Sequence, residues 1–208
     1  MKSLVKWLAL TTLMVACAPV KTVKMEKNSA LVVVDMLYDF IDGSLACQNA
    51  EQAVAYTQTL MAENPETPAL FICDHHPADH SSFTDFGGIW PVHCVAGTRG
   101  GEVHEALKPK MEEALTFYKG CVKEEEQYSG FEGKNEAGQT LAEVLEMLDA
   151  QTVYVCGIAT EYCVYNTAKD LKNAGFNVVV IEKGLAYVAQ EGHVETLSKM
   201  REEGFRIQ

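Results

Sequence analysis

The sequence predicts a single α/β domain: one doubly wound, mostly parallel sheet of about six strands with helices on both faces. Three observations support this prediction. A chain of 208 residues suits one domain with a substantial core. Short apolar runs alternate with segments of helical periodicity. Several of the apolar runs show no polar alternation, which is typical of parallel strands covered by helices on both sides. We assign this domain to residues 29–208.

Apolar and β-branched runs predict strands at residues 30–35, 69–74, 115–119, 152–157, 177–181 and 205–207. Helical periodicity predicts helices between them, at 49–62, 102–111, 139–148, 161–174 and about 193–201, with Gly175 capping the fourth. Right-handed crossovers then place the carboxyl ends of all strands at one edge. The two long loops, 75–101 and 120–136, open onto that edge, where functional residues concentrate.

Composition and charge narrow the possible functions. With 48% hydrophobic and 22% charged residues, the chain has an ordinary globular composition. A net charge of -12 argues against a nucleic-acid partner, because little could neutralise phosphates. The seven cysteines show neither a disulfide framework nor a CxxC zinc spacing, and most lie in or beside apolar strands. The expected partner is a small-molecule substrate. The sequence leaves open whether the protein forms oligomers.

The first 17 residues have the pattern of an export signal. Lys2 and Lys6 precede an apolar run that is too short for a stable membrane span. The run ends in a segment resembling a bacterial lipobox, Leu13-Met14-Val15-Ala16-Cys17. We therefore expect lipidation at Cys17, a tether over residues 18–28, and an exported, membrane-anchored lipoprotein in the periplasm or at the cell surface. This lipid anchor would be the protein's only contact with the membrane.

Two alternatives to lipidation remain open. Ordinary cleavage after Ala18 would place Pro19 at the first mature position, which signal peptidases disfavour. The segment could also stay uncleaved as an anchor. An exported location would expose any reactive thiol of the domain to oxidation.

Side chains that could take part in catalysis lie at the ends of several predicted strands. Asp35, Asp74 and Lys119 each close an apolar run, and Cys163 follows the fourth run in the first turn of a helix. The carboxyl ends of parallel strands form one rim, where ligands bind. Free N–H groups and the helix dipole favour thiolate at Cys163, although a lone cysteine is more often a packing residue.

Together these residues predict nucleophilic catalysis. Lys119 would be partly desolvated unless paired, and Asp35 is its obvious partner. Asp35 would take the thiol proton, Lys119 would steady the charges, and Cys163 would attack a carbonyl. The turn before Cys163 would supply N–H donors for the oxyanion.

A second group predicts a divalent metal site. Asp74 and His76 lie two residues apart, so they point the same way at an extended strand end. His93 could return to them on the glycine-rich loop. One carboxylate and two imidazoles suit zinc, with iron or manganese as alternatives. His80 is an additional candidate ligand. The other histidines are expected elsewhere: His75 pointing away, and His104 and His193 on helix surfaces.

At these positions the chain resembles the nicotinamidase branch of the isochorismatase-like cysteine hydrolases. The matching segments follow the order of that family and cover nearly all of residues 30–181. They are Val34-Asp35-Met36, Asp39-Phe40, Gly43-Ser44-Leu45, Asp74-His75-His76-Pro77-Ala78-Asp79-His80-Ser81-Ser82-Phe83, Trp90-Pro91-Val92-His93-Cys94-Val95-Ala96-Gly97-Thr98, Lys119-Gly120, Tyr128-Ser129-Gly130-Phe131 and Gly157-Ile158-Ala159-Thr160-Glu161-Tyr162-Cys163-Val164.

The resemblance implies hydrolysis of nicotinamide to nicotinate and ammonia through a thioester on Cys163, with Asp35 and Lys119 completing the triad. It also implies a metal, held by the aspartate and two histidines named above, that fixes the pyridine nitrogen. The implied oxyanion donors are the N–H groups of Ala159 and Cys163, next to a cis peptide bond at Ile158–Ala159.

The substrate-binding residues implied by the resemblance are aromatic. Phe40 and Trp90 would sandwich the flat ring, and Tyr128 belongs to another matching segment. Two positions depart from the family pattern: His75 replaces a common aromatic residue, and Glu161 replaces an aspartate. Export is a further departure, because such enzymes usually act in cytoplasmic NAD salvage.

Two other functions remain possible at this point. The protein could be another cysteine hydrolase of the superfamily, acting on a different amide or on isochorismate. It could instead be a surface-anchored binding module that keeps the pocket without turnover. The metal residues argue against the first alternative and the intact triad against the second.

Overall fold

Six strands form one parallel sheet, in the order β3-β2-β1-β4-β5-β6. The computed structural model describes residues 22–208. The strands are β1 (Ser29–Val34), β2 (Ala69–Asp74), β3 (Thr116–Lys119), β4 (Thr152–Gly157), β5 (Asn177–Leu185) and β6 (Arg206–Ile207). The predicted fold class and strand number are confirmed.

The strand order reverses between β1 and β4. From β1 the sheet grows outward through β2 and β3, and on the other side of β1 it grows through β4, β5 and β6. The carboxyl ends of the two central strands are paired, with Val34 opposite Gly157. A reversal of this kind opens a crevice at the carboxyl ends of the strands, where ligands bind in doubly wound folds.

Helices cover both faces of the sheet, because the strand residues alternate in direction and are apolar on both sides. Val33 and its neighbours on one face pack against α1 and α2, whereas Val32 and its neighbours pack against α3, α4 and α5. The helices are α1 (Tyr38–Ile41), α2 (Ala50–Glu63), α3 (Leu141–Met147), α4 (Tyr165–Asn173) and α5 (Gln190–Glu202).

The predicted helix over residues 102–111 is wrong. Val103 forms an isolated antiparallel bridge with Leu37, and only the 3₁₀ turn Lys108–Lys110 is helical within the segment. The bridge keeps the start of the segment extended, and Pro109, which has no N–H to donate, sits at the beginning of the single turn, where a longer helix running through it would lose a hydrogen bond. The prediction for the fifth strand was also too short, because β5 continues through two exposed residues to Leu185.

The segment before β1 packs on the domain. Met25 is buried, and its N–H donates to Asn64 Oδ1 at 2.8 Å. The Asn64 amide in turn donates to Val23 O at 3.0 Å. The predicted export signal with Cys17, and residues 18–21 of the predicted tether, lie outside the described residues. None of the helices in the described part is long and apolar enough to cross a membrane.

Candidate active site

Asp35 lies directly after β1, at the reversal of strand order. Its backbone has a φ of 47°, and its side chain is fully buried. Oδ1 accepts a hydrogen bond from the N–H of Asp74 at 2.8 Å. Oδ2 lies 3.0 Å from Lys119 Nζ but outside hydrogen-bond geometry. Among the buried side-chain polar atoms of residues 22–208, Oδ2 is the one without a hydrogen bond, so it is available to accept a proton.

Lys119 ends β3 directly opposite Asp74, which ends β2. The ammonium group forms ion pairs with Asp35 and Asp74 and lies 3.5 Å from Cys163 Sγ. Burial opposes the charge, but the two carboxylates outweigh it and raise the pKa of Lys119 well above its usual range. The predicted contact with Asp35 is present. The contact with Asp74 was not predicted, and it links the triad to the candidate metal ligands.

Cys163 lies in a single π-helical turn, Thr160–Val164, that precedes α4. Such turns are frequent at functional sites. The Ile158–Ala159 peptide bond is cis, as predicted. The N–H of Ala159 donates to no acceptor within the described part of the chain, which leaves it available to an oxyanion. The structure therefore places one of the two predicted oxyanion donors beside the thiol with its hydrogen free.

Burial opposes the thiolate form that the start of a helix favours at Cys163. Burial raises the pKa of Cys163 well above its usual value, and nearby Lys119 offsets this only in part. Burial, together with the charge of Asp74, also raises the pKa of Asp35 to about 6. The thiol therefore holds its proton more strongly than a free cysteine, and the raised pKa of Asp35 suits this carboxylate to receive that proton during attack.

Asp74, His76 and His93 converge beside the triad. Their ligand atoms all lie within 4.8 Å of one another, and all three side chains are buried. Each ring donates from Nδ1 to a backbone carbonyl: His76 to Gly120 O at 2.9 Å and His93 to Pro91 O at 2.8 Å. Both Nε2 atoms are then left to face the site, where that of His76 lies 3.5 Å from Asp74 Oδ2. A backbone carbonyl on Nδ1 is the arrangement found around histidines that bind metals in proteins.

Gly120 makes room for this site. Its φ is +64°, and a Cβ there would lie 2.4 Å from His76 Cε1, so both the backbone and the space require glycine. The donor set of one carboxylate and two imidazoles fits zinc, iron or manganese. Against the effect of burial, Asp74 raises the pKa of His76, so a cation would have to displace a proton there. Burial lowers the pKa of His93, which favours the neutral form that a metal needs.

His80 does not offer a free nitrogen to this group. Its Nδ1 lies 2.7 Å from Ser82 Oγ and its Nε2 lies 3.1 Å from Glu125 O. The ring packs 4.3 Å from that of His76, so His80 contacts the site as a neighbour. His75 packs against Tyr118 and lines a different pocket from Asp74 and His93, in agreement with the prediction that it points away from them.

An aromatic wall faces the thiol. Phe40, Trp90 and Tyr128, the three predicted substrate-binding residues, line one pocket together with Cys163. Tyr162 was not predicted and joins this wall, with its ring centroid 5.0 Å from that of Trp90. Trp90 Nε1 donates to the Tyr128 hydroxyl at 3.2 Å, which connects two of the side chains in this wall. The pocket is also lined by Leu45, Cys47, Asp74, His93, Glu126, Gln127, Ala159 and Val188.

Two polar residues outside the predicted triad and metal group support the site, and one of them, His193, was expected on a helix surface. Asp39 accepts a hydrogen bond from the N–H of Cys94, next to His93, at 2.7 Å. His193 is buried, and its Nδ1 lies 3.0 Å from Thr160 Oγ1. His104 is half-buried and lies outside the helices. These partners come from distant segments, so local patterning carries no signal for them.

A carboxylate, a lysine and a thiol are buried at the point where the doubly wound sheet reverses its strand order. This combination defines the class of the protein as a hydrolytic enzyme with an α/β fold. The sequence profile of the isochorismatase domain matches residues 29–207, and the chain belongs to that family.

Similar proteins and similar solved structures support the assignment to this family. The chain is 37% identical over 177 residues to the nicotinamidase/pyrazinamidase of Mycobacterium tuberculosis, covering 83% of this chain and 94% of the relative. The pyrazinamidase of Pyrococcus horikoshii, in complex with zinc, superposes with a TM-score of 0.78 at 33% identity, covering 87% of this chain and 98% of the other. PnC1 from L. infantum, in complex with nicotinate, gives a TM-score of 0.79 at 28% identity, with coverage of 89% and 95%. The predicted membership of the nicotinamidase branch is confirmed.

Proposed function

We propose that this protein is a nicotinamidase that hydrolyses nicotinamide to nicotinate and ammonia. One observation carries the proposal: a buried aspartate, lysine and cysteine adjoin three converging metal-type ligands in one aromatic pocket. A flat ring, a carboxamide and a ring nitrogen are the three features that such a pocket can recognise. Similarity to the nicotinamidase/pyrazinamidase of M. tuberculosis over most of both chains supports the same activity.

Acylation begins with the thiol of Cys163. Its proton passes to the unbonded Oδ2 of Asp35 while the sulfur attacks the carboxamide carbon. The N–H groups of Ala159 and Cys163 stabilise the resulting oxyanion. Collapse of this adduct breaks the C–N bond, and the leaving nitrogen takes the proton from Asp35 and departs as ammonia. A thioester on Cys163 remains.

Deacylation reverses these roles. Asp35 removes a proton from a water molecule that attacks the thioester carbon, and the sulfur leaves. The proton returns to Cys163, and the acid product ionises to nicotinate. Lys119 remains charged throughout and stabilises the anionic partners beside it, since Asp35, Asp74 and the sulfur all surround its ammonium group.

We also propose that Asp74, His76 and His93 hold a divalent cation, with zinc the first candidate and iron or manganese as alternatives. A bound cation would supply a Lewis acid that takes the pyridine nitrogen and orients the ring. The aromatic wall then confines the ring in one plane, and the carboxamide reaches the thiol in a single orientation.

The three converging ligands argue against isochorismate as the substrate. Isochorismate has no ring nitrogen to offer a cation held by Asp74, His76 and His93. The pocket lining within residues 22–208 also contains no lysine or arginine that could pair with its two carboxylates.

The direct test of the activity is ammonia release. Purified protein loaded with zinc should release ammonia and nicotinate in equal amounts from nicotinamide. Activity on isochorismate alone would show that the protein is a different hydrolase of the family. Binding of nicotinamide without any turnover would instead indicate a binding module.

The metal site leads to a first prediction. His93→Ala should reduce bound zinc from about one ion per chain to a trace, because two remaining ligands hold zinc weakly. Metal content is measured by mass spectrometry of the purified protein. His75→Ala is the matched control, since this neighbouring histidine points away and should leave the zinc content unchanged. Asp74→Ala should also lose zinc, but it disturbs Lys119 as well. Full zinc retention by His93→Ala would contradict the site.

We further propose that the protein is exported and anchored through a lipid on Cys17. Expressed in a bacterium, the full chain should fractionate with membranes and incorporate labelled fatty acid. Acyl chains contribute roughly 0.8 kcal/mol per buried CH₂, and two or more chains give stable anchoring. Cys17→Ser should lose both properties, whereas Cys121→Ser, an exposed cysteine of the domain, should keep them. Unprocessed protein in the cytoplasm would contradict this proposal.

A further inference from the structure

Gln127 lies where the loop after β3 folds back over the site. Its side chain is half-buried and lines the same pocket as Cys163. Its Oε1 accepts a hydrogen bond from the N–H of Gly120 at 2.9 Å. Its backbone carbonyl accepts a hydrogen bond from Lys119 Nζ at 3.3 Å. One residue therefore contacts two consecutive positions at the end of β3.

Gly120 is the connection from Gln127 to the candidate metal ligands. The carbonyl of Gly120 accepts the Nδ1–H of His76 at 2.9 Å, which fixes the tautomer and leaves Nε2 free. Glycine is required here because a Cβ would collide with the His76 ring. Glycine is also the residue with the greatest backbone freedom, so its conformation needs an external restraint. The hydrogen bond from its N–H to the Gln127 side chain supplies that restraint.

We infer that Gln127 is a positioning residue: it holds Gly120, and through Gly120 it holds the His76 ring in its metal-binding orientation. The inference rests on the metal site proposed above. Groups that orient metal-ligating histidines typically contribute 10- to 100-fold to metal affinity. Loss of the Gln127 acceptor should therefore weaken zinc binding by roughly 10-fold or more without removing any ligand.

The test compares zinc affinities of the full chain, measured by competition with a chromophoric zinc chelator. Gln127→Met keeps the length of the side chain but removes the acceptor. Gln127→Glu keeps an oxygen at the same place and should restore most of the affinity. Gln139→Met is the matched control, because Gln139 is also half-buried and hydrogen-bonded, but to Asn135. Thermal unfolding of the metal-free proteins shows whether each variant is folded.

Weaker zinc binding in Gln127→Met, with recovery in Gln127→Glu and none of the loss in Gln139→Met, would support the inference. Unchanged affinity in Gln127→Met would overturn it. Equal losses in Gln127→Met and Gln127→Glu would also overturn it, because the acceptor would then not be the cause. Wild-type protein that binds zinc but releases no ammonia from nicotinamide would contradict the proposed function alone and leave this comparison intact.

Discussion

Replacement of Cys163 by alanine is expected to abolish ammonia release, with a loss on the order of 10⁴-fold or more. Within residues 22–208, the thiol is the nucleophile that lies beside a carboxylate able to take its proton, since Asp35 Oδ2 accepts no hydrogen bond and Lys119 lies 3.5 Å from the sulfur. The fold should persist, because the substitution removes one buried sulfur atom and leaves the main-chain turn intact. Initial rates with nicotinamide, together with the melting temperature, measure the two effects.

The control for this experiment is Cys47→Ala. Cys47 lines the same pocket as Cys163 but contacts neither Asp35 nor Lys119 in the described structure, and its thiol donates to Leu45 O. This variant should keep most of the activity. Zinc content should be unchanged in both variants. Cys163 also converges with Asp35 and Asp74, but the Lys119 ammonium group already pairs with both of those carboxylates. Appreciable turnover by Cys163→Ala would mean that a water molecule attacks the amide directly, and the thioester mechanism would be wrong.

The strands and their polar ends could be predicted because both depend on local pattern. Parallel strands buried on two faces must be apolar throughout, and a parallel sheet brings all their carboxyl ends to one edge. This reasoning predicts that Asp35 and Lys119 lie together, and Lys119 Nζ is 3.0 Å from Asp35 Oδ2. The metal candidates followed from the same logic, with one ligand returning on a loop.

The failures of prediction arise where tertiary partners outweigh local pattern. Residues 102–111 have helical periodicity, but Pro109 and the bridge from Val103 to Leu37 hold the segment open. The exposed residues Glu182 and Lys183 suggested the end of a strand, yet β5 continues to pair at Leu185. Neither effect is visible without knowing which segment lies alongside.

Protonation states were the least predictable property of the site. A cysteine at the start of a helix favours thiolate when it is exposed to the helix dipole. Cys163 is instead buried among carboxylates, and desolvation dominates and raises its pKa. The sequence shows that Asp35 and Asp74 end neighbouring strands, but it does not show how completely water is excluded. Burial therefore favours the thiol form of Cys163 over the thiolate.

The final prediction concerns which amides are hydrolysed. Nicotinamide and pyrazinamide both have a ring nitrogen meta to the carboxamide, so each can offer that nitrogen to a metal held by Asp74, His76 and His93. Benzamide has the same shape and the same scissile bond but no ring nitrogen. It can still fill the aromatic wall formed by Phe40 and Trp90. We expect kcat/KM for benzamide to be on the order of 10³-fold lower than for nicotinamide. A site built to bind a polar atom of its substrate discriminates strongly against an analogue that lacks this atom.

A matched variant separates recognition by the metal from recognition by shape. His93→Ala should lose zinc. In this variant, kcat/KM for nicotinamide should fall toward the value for benzamide, while kcat/KM for benzamide should change much less. The ratio of the two kcat/KM values is the measurement, since a general loss of activity would lower both and leave it unchanged. Equal kcat/KM values for the two amides in the wild-type protein would show that no metal binds the ring nitrogen. Selectivity would then come from the aromatic wall alone, and another aromatic amide would be the better candidate substrate.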